Sequence, residues 1–216
     1  MVQPAITDEQ RRELGRYLGS HRDDPHRDPL KVALVLAGDR PAAFISPDPW
    51  MSLRSLLEFH NGSVKLFELF DLSSREVRDV PGWFVARNSW RLDLLPTVLN
   101  GCSGYHRRLG TVLGYPQAAI EQFIERESLE VPEEFAKRGQ FDTETLAFAK
   151  FVFYLPEATV DGYRRAIQQG KDRYARLCTL AELWQLPDLK ILADEIRTEF
   201  VTNVDSGEQV VGRTVV

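Results

Sequence analysis

The sequence predicts an α+β fold, in which a small N-terminal sheet, mixed or antiparallel, carries helices and is followed by a mainly helical C-terminal half. Short β-prone runs bounded by turn residues occur before residue 88, whereas apolar side chains recur at helical steps from residue 89 onward. We therefore divide the chain into an α/β part (1–88), a helical part (89–200) and a C-terminal hairpin or tail (201–216). One single domain is the alternative.

The first elements are predicted from a capping signal and from two apolar runs. Thr7 and Gln10 have the spacing of a capping box, which predicts a helix from Thr7 towards Gly19. The run LKVALVLAG (30–38) is short, partly β-branched and bounded by turn residues, which favours a buried strand. The turn GDRP then leads into a second strand, AAFIS (42–46), so the two strands are expected to form a hairpin.

The rest of the N-terminal part is predicted as one helix and two strands. Leucines at helical spacing indicate a helix over Pro47–His60, and Asn61-Gly62 is typical of a helix end. The runs VKLFELF (64–70) and GWFVAR (82–87) are strand candidates.

In the helical part, LGTVLGYPQAAIEQF (109–123) predicts two helices joined by a sharp corner. Gly114 can adopt the left-handed conformation that ends a helix, and Pro116 suits the first turn of the next helix. A last helix is predicted after Pro187, from a stripe of apolar residues. The turn residues Asp205-Ser206-Gly207 then separate two β-prone pieces of the tail.

The segment LGYPQAAIEQF resembles the signature of an uncharacterised archaeal family, a domain of unknown function with Gly-Tyr-Pro followed after one residue by two cysteines. FVFYLPEATVDGYRRAIQQGKDRYARL is similar to the family's downstream block, so the resemblance would cover about residues 105–177. Ala118 and Ala119 occupy the cysteine positions here. Alanine has no donor atom, so no metal or thiol chemistry carries over, and the resemblance implies only a fold.

Composition limits the classes of protein to which this chain can belong. The net charge of −5 and the pI near 5.5 disfavour broad binding to nucleic acid or to anionic membranes. No apolar run approaches the length of a membrane span, and the N-terminus lacks a charged-then-apolar leader. Cys102 and Cys178 lie far apart in the chain, as expected of reduced thiols, and we expect a cytoplasmic protein.

A basic, aromatic region is the strongest functional signal. The segment 81–120 contains four arginines and a single aspartate, although the chain as a whole is acidic. Arginine binds phosphate or carboxylate with a planar fork, and aromatic rings offer stacking surfaces. We predict a surface for an anionic ligand or partner formed by Arg87, Arg91, Tyr105, Arg107, Arg108 and Tyr115. In the alternative, Trp83 and Trp90 belong to the core and the arginines only solvate helices or pair with the following acidic residues.

Other candidate chemistry is weaker. His106 could act as a general base, with Cys102 as a companion nucleophile. The segment HRDDPHRDP holds possible ligands at His21, Asp23, Asp24, His26 and Asp28, yet its prolines and arginines favour a solvated connector, so no metal site is predicted. The sequence has no phosphate-binding glycine loop, dinucleotide fingerprint or zinc spacing, and no cofactor is predicted.

These observations leave three hypotheses. The first is a non-catalytic cytoplasmic binding protein that uses the basic aromatic surface for an anionic ligand or a protein partner. The second is a small-molecule enzyme that uses His106. The third is an RNA-associated factor that uses the same arginines, for which affinity should fall steeply with added salt. No membrane partner is expected.

Overall fold

The α+β prediction is confirmed in a computed structural model, which describes residues 5–20, 27–47, 51–76, 82–95, 104–125 and 130–206. A three-stranded sheet lies in the N-terminal part and helices follow it. The helices are α1 (Asp8–Ser20), α2 (Asp28–Ala37), α3 (Leu53–Leu69), α4 (Ser89–Asp93), α5 (Tyr105–Leu113), α6 (Gln117–Glu125), α7 (Pro132–Ala136), α8 (Thr143–Leu146), a 3-10 helix (Ala147–Val152), α9 (Val160–Leu183) and α10 (Pro187–Ser206); the strands are β1 (Ala42–Ile45), β2 (Ser73–Glu76) and β3 (Trp83–Ala86).

The sheet is antiparallel and separates two apolar layers. The central strand β3 pairs with β1 on one side and with β2 on the other, so that Ala86 lies opposite both Ala42 and Ser73. Alternate residues point to opposite faces. One face, which includes Ile45 and Val85, joins the largest core with α1, α2, α3, α9 and α10, and the other face packs against α4 and α5.

The predicted capping box of α1 is confirmed. The backbone N–H of Thr7 donates to Gln10 Oε1 at 2.9 Å, and the N–H of Gln10 donates to Thr7 Oγ1 at 3.2 Å. The Gln10 amide also donates to the carbonyl of Leu69 at 2.9 Å, which ties the start of α1 to the end of α3.

The predicted strand over 30–38 is wrong, and with it the hairpin to β1. These residues form α2, which has Pro29 in its first turn and ends at Gly38 in the left-handed conformation. Every residue from Asp28 to Ala37 except Lys31 is buried, so the run is apolar all round and its periodicity does not distinguish a buried helix from a buried strand. The sequence signals that identify this helix are Pro29 at its start and Gly38 at its end, and not the pattern of its apolar residues.

The helix predicted over 47–60 exists, but its bounds were wrong. Helix α3 continues through Asn61-Gly62 to Leu69, so the predicted strand VKLFELF is its last two turns. Leu53 and Leu57 are 74% and 55% exposed, and the core side of α3 is instead formed by Phe59, Ser63, Leu66 and Phe67. Strand β2, with the polar sequence SSRE, was not predicted because it lacks β-prone side chains.

The predicted helical corner is confirmed. Helix α5 ends at Gly114, whose φ of 74° lies in the left-handed region, and α6 begins directly after Pro116. The two helices pack closely, because a Cβ atom on Gly110 would lie 2.6 Å from Ile120 Cγ1.

The C-terminal part is built around α9. The 3-10 helix lies directly against α9, since a Cβ atom on Gly170 would lie 1.8 Å from the carbonyl oxygen of Phe148. The last helix, predicted after Pro187, is confirmed as α10. It continues to Ser206, so the first half of the predicted C-terminal hairpin is helical; residues 207–216 lie outside the described residues. The division into 1–88 and 89–200 stays a prediction.

Candidate functional site

A buried arginine lies in the turn between α2 and β1. Arg40 is 2% exposed, and its Nε donates to the carbonyl of Ala42 at 2.7 Å. Its Nη2 donates to the hydroxyl of Tyr115 at 3.3 Å. The guanidinium also lies over two rings, 5.6 Å from the centroid of Tyr115 and 5.3 Å from that of Phe153. These rings stabilise the positive charge of Arg40.

The glycine corner between α5 and α6 places Tyr115 against Arg40. A Cβ atom on Gly114 would lie 2.4 Å from Cγ of Pro41, so only glycine lets the corner approach the turn this closely. The same residue supplies the positive φ that turns the chain. The close contact brings residues 40 and 115 together although they are far apart in sequence.

A second buried arginine projects from α9. Arg173 is 7% exposed and lies on the apolar side of the helix, one turn from Gly170 and from Leu177. Its Nη1 donates to the carbonyls of Phe151 and Val152 at 3.1 and 2.6 Å, at the end of the 3-10 helix. The close approach at Gly170 makes these two carbonyls available.

Tyr154 contacts Tyr115 on one side and α9 on the other. Its ring centroid lies 5.3 Å from that of Tyr115, and its hydroxyl donates to Gln169 Oε1 at 2.9 Å, one turn before Arg173 on α9. The preceding residue, Phe153, has a φ of 56°, an uncommon conformation for a bulky side chain. We call Arg40, Tyr115, Tyr154 and Arg173 the arginine–tyrosine cluster.

Burial makes the two charges of the cluster electrostatically unfavourable, and the Asp39 carboxylate offsets this only in part. The pKa of Arg173 is lowered to about 10, first by desolvation and then by the nearby Arg40. Desolvation also raises the pKa of Tyr154, against the opposing effect of Arg173. Since 10 is still well above neutral pH, Arg173 remains protonated. Two guanidinium charges therefore occupy a largely buried volume.

The cluster offers hydrogen-bond donors that have no acceptor among the described residues. Arg40 Nη1 is buried and makes no hydrogen bond. The Tyr115 hydroxyl accepts from Arg40, and its own proton has no acceptor there. Arg173 bonds through Nη1, and neither its Nε nor its Nη2 is among the buried atoms that lack a partner in the described residues. A buried donor without a hydrogen-bond partner requires an explanation, and a bound ion is one. Because this donor belongs to a guanidinium group and lies near a second one, the ion would be an anion.

No carboxylate of the described residues pairs with Arg40 or Arg173. Asp39, which is the nearest in sequence, accepts from Arg176 Nε at 2.6 Å, and its negative charge also acts to raise the pKa of Arg173. Arg87 lies at the same end of the sheet, with its Nη1 3.2 Å from the place of a Cβ atom on Gly38. Two further arginines therefore flank the turn that holds the cluster.

The arginines predicted from the sequence do not share one set of contacts. Arg107 pairs with Glu121, with Nε–Oε1 and Nη2–Oε2 distances of 2.8 and 2.5 Å. The Arg91 guanidinium lies 4.9 Å from the ring of Trp90, which is 54% exposed. Arg108 is exposed on α5. Among the predicted surface residues, Tyr115 belongs to the cluster and Arg87 lies beside it.

His106 and Tyr105 form an aromatic contact at the start of α5. The ring of exposed His106 lies 4.9 Å from that of buried Tyr105 and 5.2 Å from that of Phe123. Desolvation raises the pKa of Tyr105. Within the described part of the chain, no hydrogen bond or ion pair joins His106 to another titratable group. Cys102 lies outside those residues, and Cys178 is a half-buried free thiol.

The segment with possible metal ligands is only partly described. His21, Asp23, Asp24 and His26 lie outside the described residues. Asp28 is fully buried and accepts from Lys31 Nζ and from the N–H of Ser46, both at 2.7 Å. In the segments that the structure covers, no group of three or more histidine, cysteine, aspartate or glutamate side chains could hold a metal.

A polar cleft of about 250 Å³ lies beside α10 and is lined by Glu144, Asp194, Arg197, Thr198, Val201 and Thr202. Its charges are largely paired with one another or with neighbours. Arg197 pairs with Glu144 at 3.2 Å, and Asp194 accepts from Lys190 at 2.6 Å and from Tyr174 at 2.5 Å. Arg197 Nε is buried without a hydrogen-bond partner among the described residues, as Arg40 Nη1 is, but the carboxylates of Glu144 and Asp194 in the lining disfavour an anion here.

Sequence reasoning missed Arg40, Tyr154 and Arg173. A signal for Arg173 was present, because it occupies a core position in the helical stripe that includes Ile167, Gly170 and Leu177. A charged residue at such a position is rarely buried without a partner. For Arg40, the turn GDRP gives no comparable signal.

The fold and the site define an α+β protein with a buried cationic cluster at one end of a small antiparallel sheet. None of the helices in the described segments combines the length and hydrophobicity needed to cross a membrane. No family model matches the chain, and neither a curated protein nor a solved structure shows significant similarity to it.

Proposed function

We propose that this chain is a non-catalytic, cytoplasmic binding protein that holds a small anionic ligand at the arginine–tyrosine cluster. The observation that carries the proposal is the unpaired Nη1 of Arg40, buried beside a second protonated arginine. Two buried charges of the same sign destabilise the folded state, and an anion that accepts from both would offset this cost. Phosphate and carboxylate are the groups that guanidinium donors bind best.

Anion binding has more support than an enzyme centred on His106. General acid–base catalysis needs a second group that orients the histidine or exchanges a proton with it. His106 instead contacts two aromatic rings and has no hydrogen-bonding partner within the described ranges. The resemblance of 105–177 to the archaeal family stays a prediction.

Thermal unfolding with inorganic phosphate and sulfate tests the proposal. A ligand present at about 100 times its Kd stabilises the folded state by about 2.7 kcal/mol, which for a chain of this size raises Tm by roughly 5–10 °C. Both anions also stabilise proteins non-specifically, so the shift must be compared between variants at equal ionic strength.

Arg40→Lys is the informative variant, and Arg164→Lys is its matched control. The lysine keeps a positive charge but removes Nη1 and the bond to Tyr115, so the anion-dependent shift should disappear. Arg164 is exposed and, within the described segments, pairs only with Asp161, so its variant should keep the full shift. Equal shifts in the wild type and in both variants would show that the anions act non-specifically and would refute the proposal.

Salt dependence separates this function from RNA binding. An RNA surface built from several arginines should give an affinity that falls steeply with added salt and weakens in Arg107→Ala and Arg108→Ala. Binding at the cluster should be nearly unaffected by both substitutions, because Arg107 is occupied by Glu121.

A further inference from the structure

Helix α3 carries an apolar stripe beside the side that faces the core. Of the seven large apolar side chains that the described residues leave exposed, three lie in its first two turns, namely Leu53, Leu56 and Leu57 at 74%, 36% and 55%. Exposed His60 and half-buried Val64 continue the stripe. Leu53, Leu57, His60 and Val64 are separated by four, three and four residues, which is the spacing of a seam between two packed helices. We call these four residues the α3 seam.

The seam is separate from the contact that α3 makes with the core. At about 100° per residue, its centre lies roughly 100° around the helix from the centre of the core side, so apolar residues cover about half of the circumference. The core side is formed by Phe59, Ser63, Leu66 and Phe67. Single exposed leucines are common, whereas a continuous exposed stripe marks a contact surface.

The charges beside the seam are complementary to themselves. Arg54 and Glu58 each follow a seam leucine by one position, so both lie on the same flank, where Arg54 Nε donates to Glu58 Oε1 at 3.0 Å. Because these charges cancel, the flank does not favour a strongly charged partner or an anionic membrane. Around a two-fold axis near Leu56, in contrast, Arg54 of one copy lies beside Glu58 of the second copy, and the reverse.

We propose that the α3 seam is the interface of a homodimer in which the α3 helices of two copies pack antiparallel. Leu53 and Leu57 of each copy pack against the seam of the other, and two Arg54–Glu58 pairs lie across the interface. A parallel pair would bring this flank against the opposite edge of the second helix, which faces its own core. One seam buries less than the roughly 800 Å² per partner of a standard interface, so we expect a Kd of about 1–100 μM.

Sedimentation equilibrium of the full chain, from about 1 to 500 μM, tests the dimer and brackets this Kd. Leu57→Gln should weaken the association at least about tenfold, because each dimer buries two of these side chains. Leu183→Gln is the matched control: Leu183 is 46% exposed at the end of α9, so its variant should keep the wild-type Kd. Both positions are exposed, so both variants should keep the wild-type circular dichroism spectrum. A chain that stays monomeric over this range, or a dimer that Leu57→Gln does not weaken, would overturn the proposal.

Charge exchange tests the antiparallel arrangement. Arg54→Glu makes the flank acidic and Glu58→Arg makes it basic, so each variant alone should associate about threefold more weakly than the wild type. An equimolar mixture of the two should associate more tightly than either alone, because the mixed dimer restores both pairs across the interface. The pair within one helix cannot produce this result. If the mixture associates no more tightly than the separate variants, the antiparallel arrangement is overturned.

Discussion

The contact between α9 and the 3-10 helix gives a quantitative prediction for Gly170→Ala. The new Cβ atom would lie 1.8 Å from the carbonyl oxygen of Phe148, whereas an ordinary contact begins at 3.4 Å. The main chain of the 3-10 helix would therefore have to move by about 1.6 Å, because a backbone atom cannot rotate away as a side chain can.

The expected loss of stability follows from two opposing contributions. Overpacking a well-packed core costs about 1–3 kcal/mol, and a clash with main chain belongs at the upper end of that range. The gain in helix propensity from glycine to alanine is about 1 kcal/mol. The net destabilisation is therefore about 2 kcal/mol, equivalent to a Tm roughly 4–8 °C lower for a chain of this length.

Gly62→Ala is the matched control. Gly62 lies in the interior of α3, and nothing is within 4 Å of the place where its Cβ atom would be. This substitution should raise the stability by about 0.5–1 kcal/mol, since only the propensity changes. Urea unfolding followed by circular dichroism measures both variants. If Gly170→Ala is as stable as Gly62→Ala, the reasoning about this contact is refuted.

Three further predictions concern a helix cap, a buried phenol and the glycine corner. Thr159 Oγ1 accepts from the N–H of Gly162 at 3.0 Å at the start of α9. Thr159→Ala should therefore lower the stability by about 1 kcal/mol, whereas Thr159→Ser should retain it. Urea unfolding midpoints measure both variants. Desolvation raises the pKa of Tyr163 above its ordinary value of 10, so the stability that this group contributes is present below pH 10 and is lost at higher pH, where the unfolded chain ionises. Urea midpoints at pH 9 and pH 11 should therefore differ less in Tyr163→Phe than in the wild type, and an equal difference would be evidence against this linkage. Gly114→Ala combines an unfavourable φ with a clash and should lower both the Tm and its rise with added phosphate; wild-type values for both would contradict the role given to this corner.

Short-range interactions explain which elements were predictable. The capping box at Thr7 and the corner at Gly114 depend on residues a few positions apart, and both were predicted correctly. The strand pattern of 82–87 was sufficient for β3. In each case the signal is a local conformational preference that other parts of the chain did not overcome.

Tertiary packing decided the elements that were mispredicted. The run 30–38 became a helix because α2 is surrounded by core on nearly all sides, where apolar periodicity carries no information. The polar residues of β2 became an edge strand because β3 offers them hydrogen-bonding partners, and Arg75 donates to the carbonyls of Leu92 and Leu95. Leu92 and Leu95 lie 17 and 20 residues after Arg75.

By itself, the sequence determined an acidic α+β chain with a glycine–proline corner that carries Tyr115. Only the tertiary structure decided that this corner packs against Pro41, which brings Tyr115 to Arg40 and Tyr154, and that α9 turns Arg173 inward. The physical reason is that a pattern along the chain reports which side of an element is apolar, whereas the position of a buried charge depends on which elements pack together.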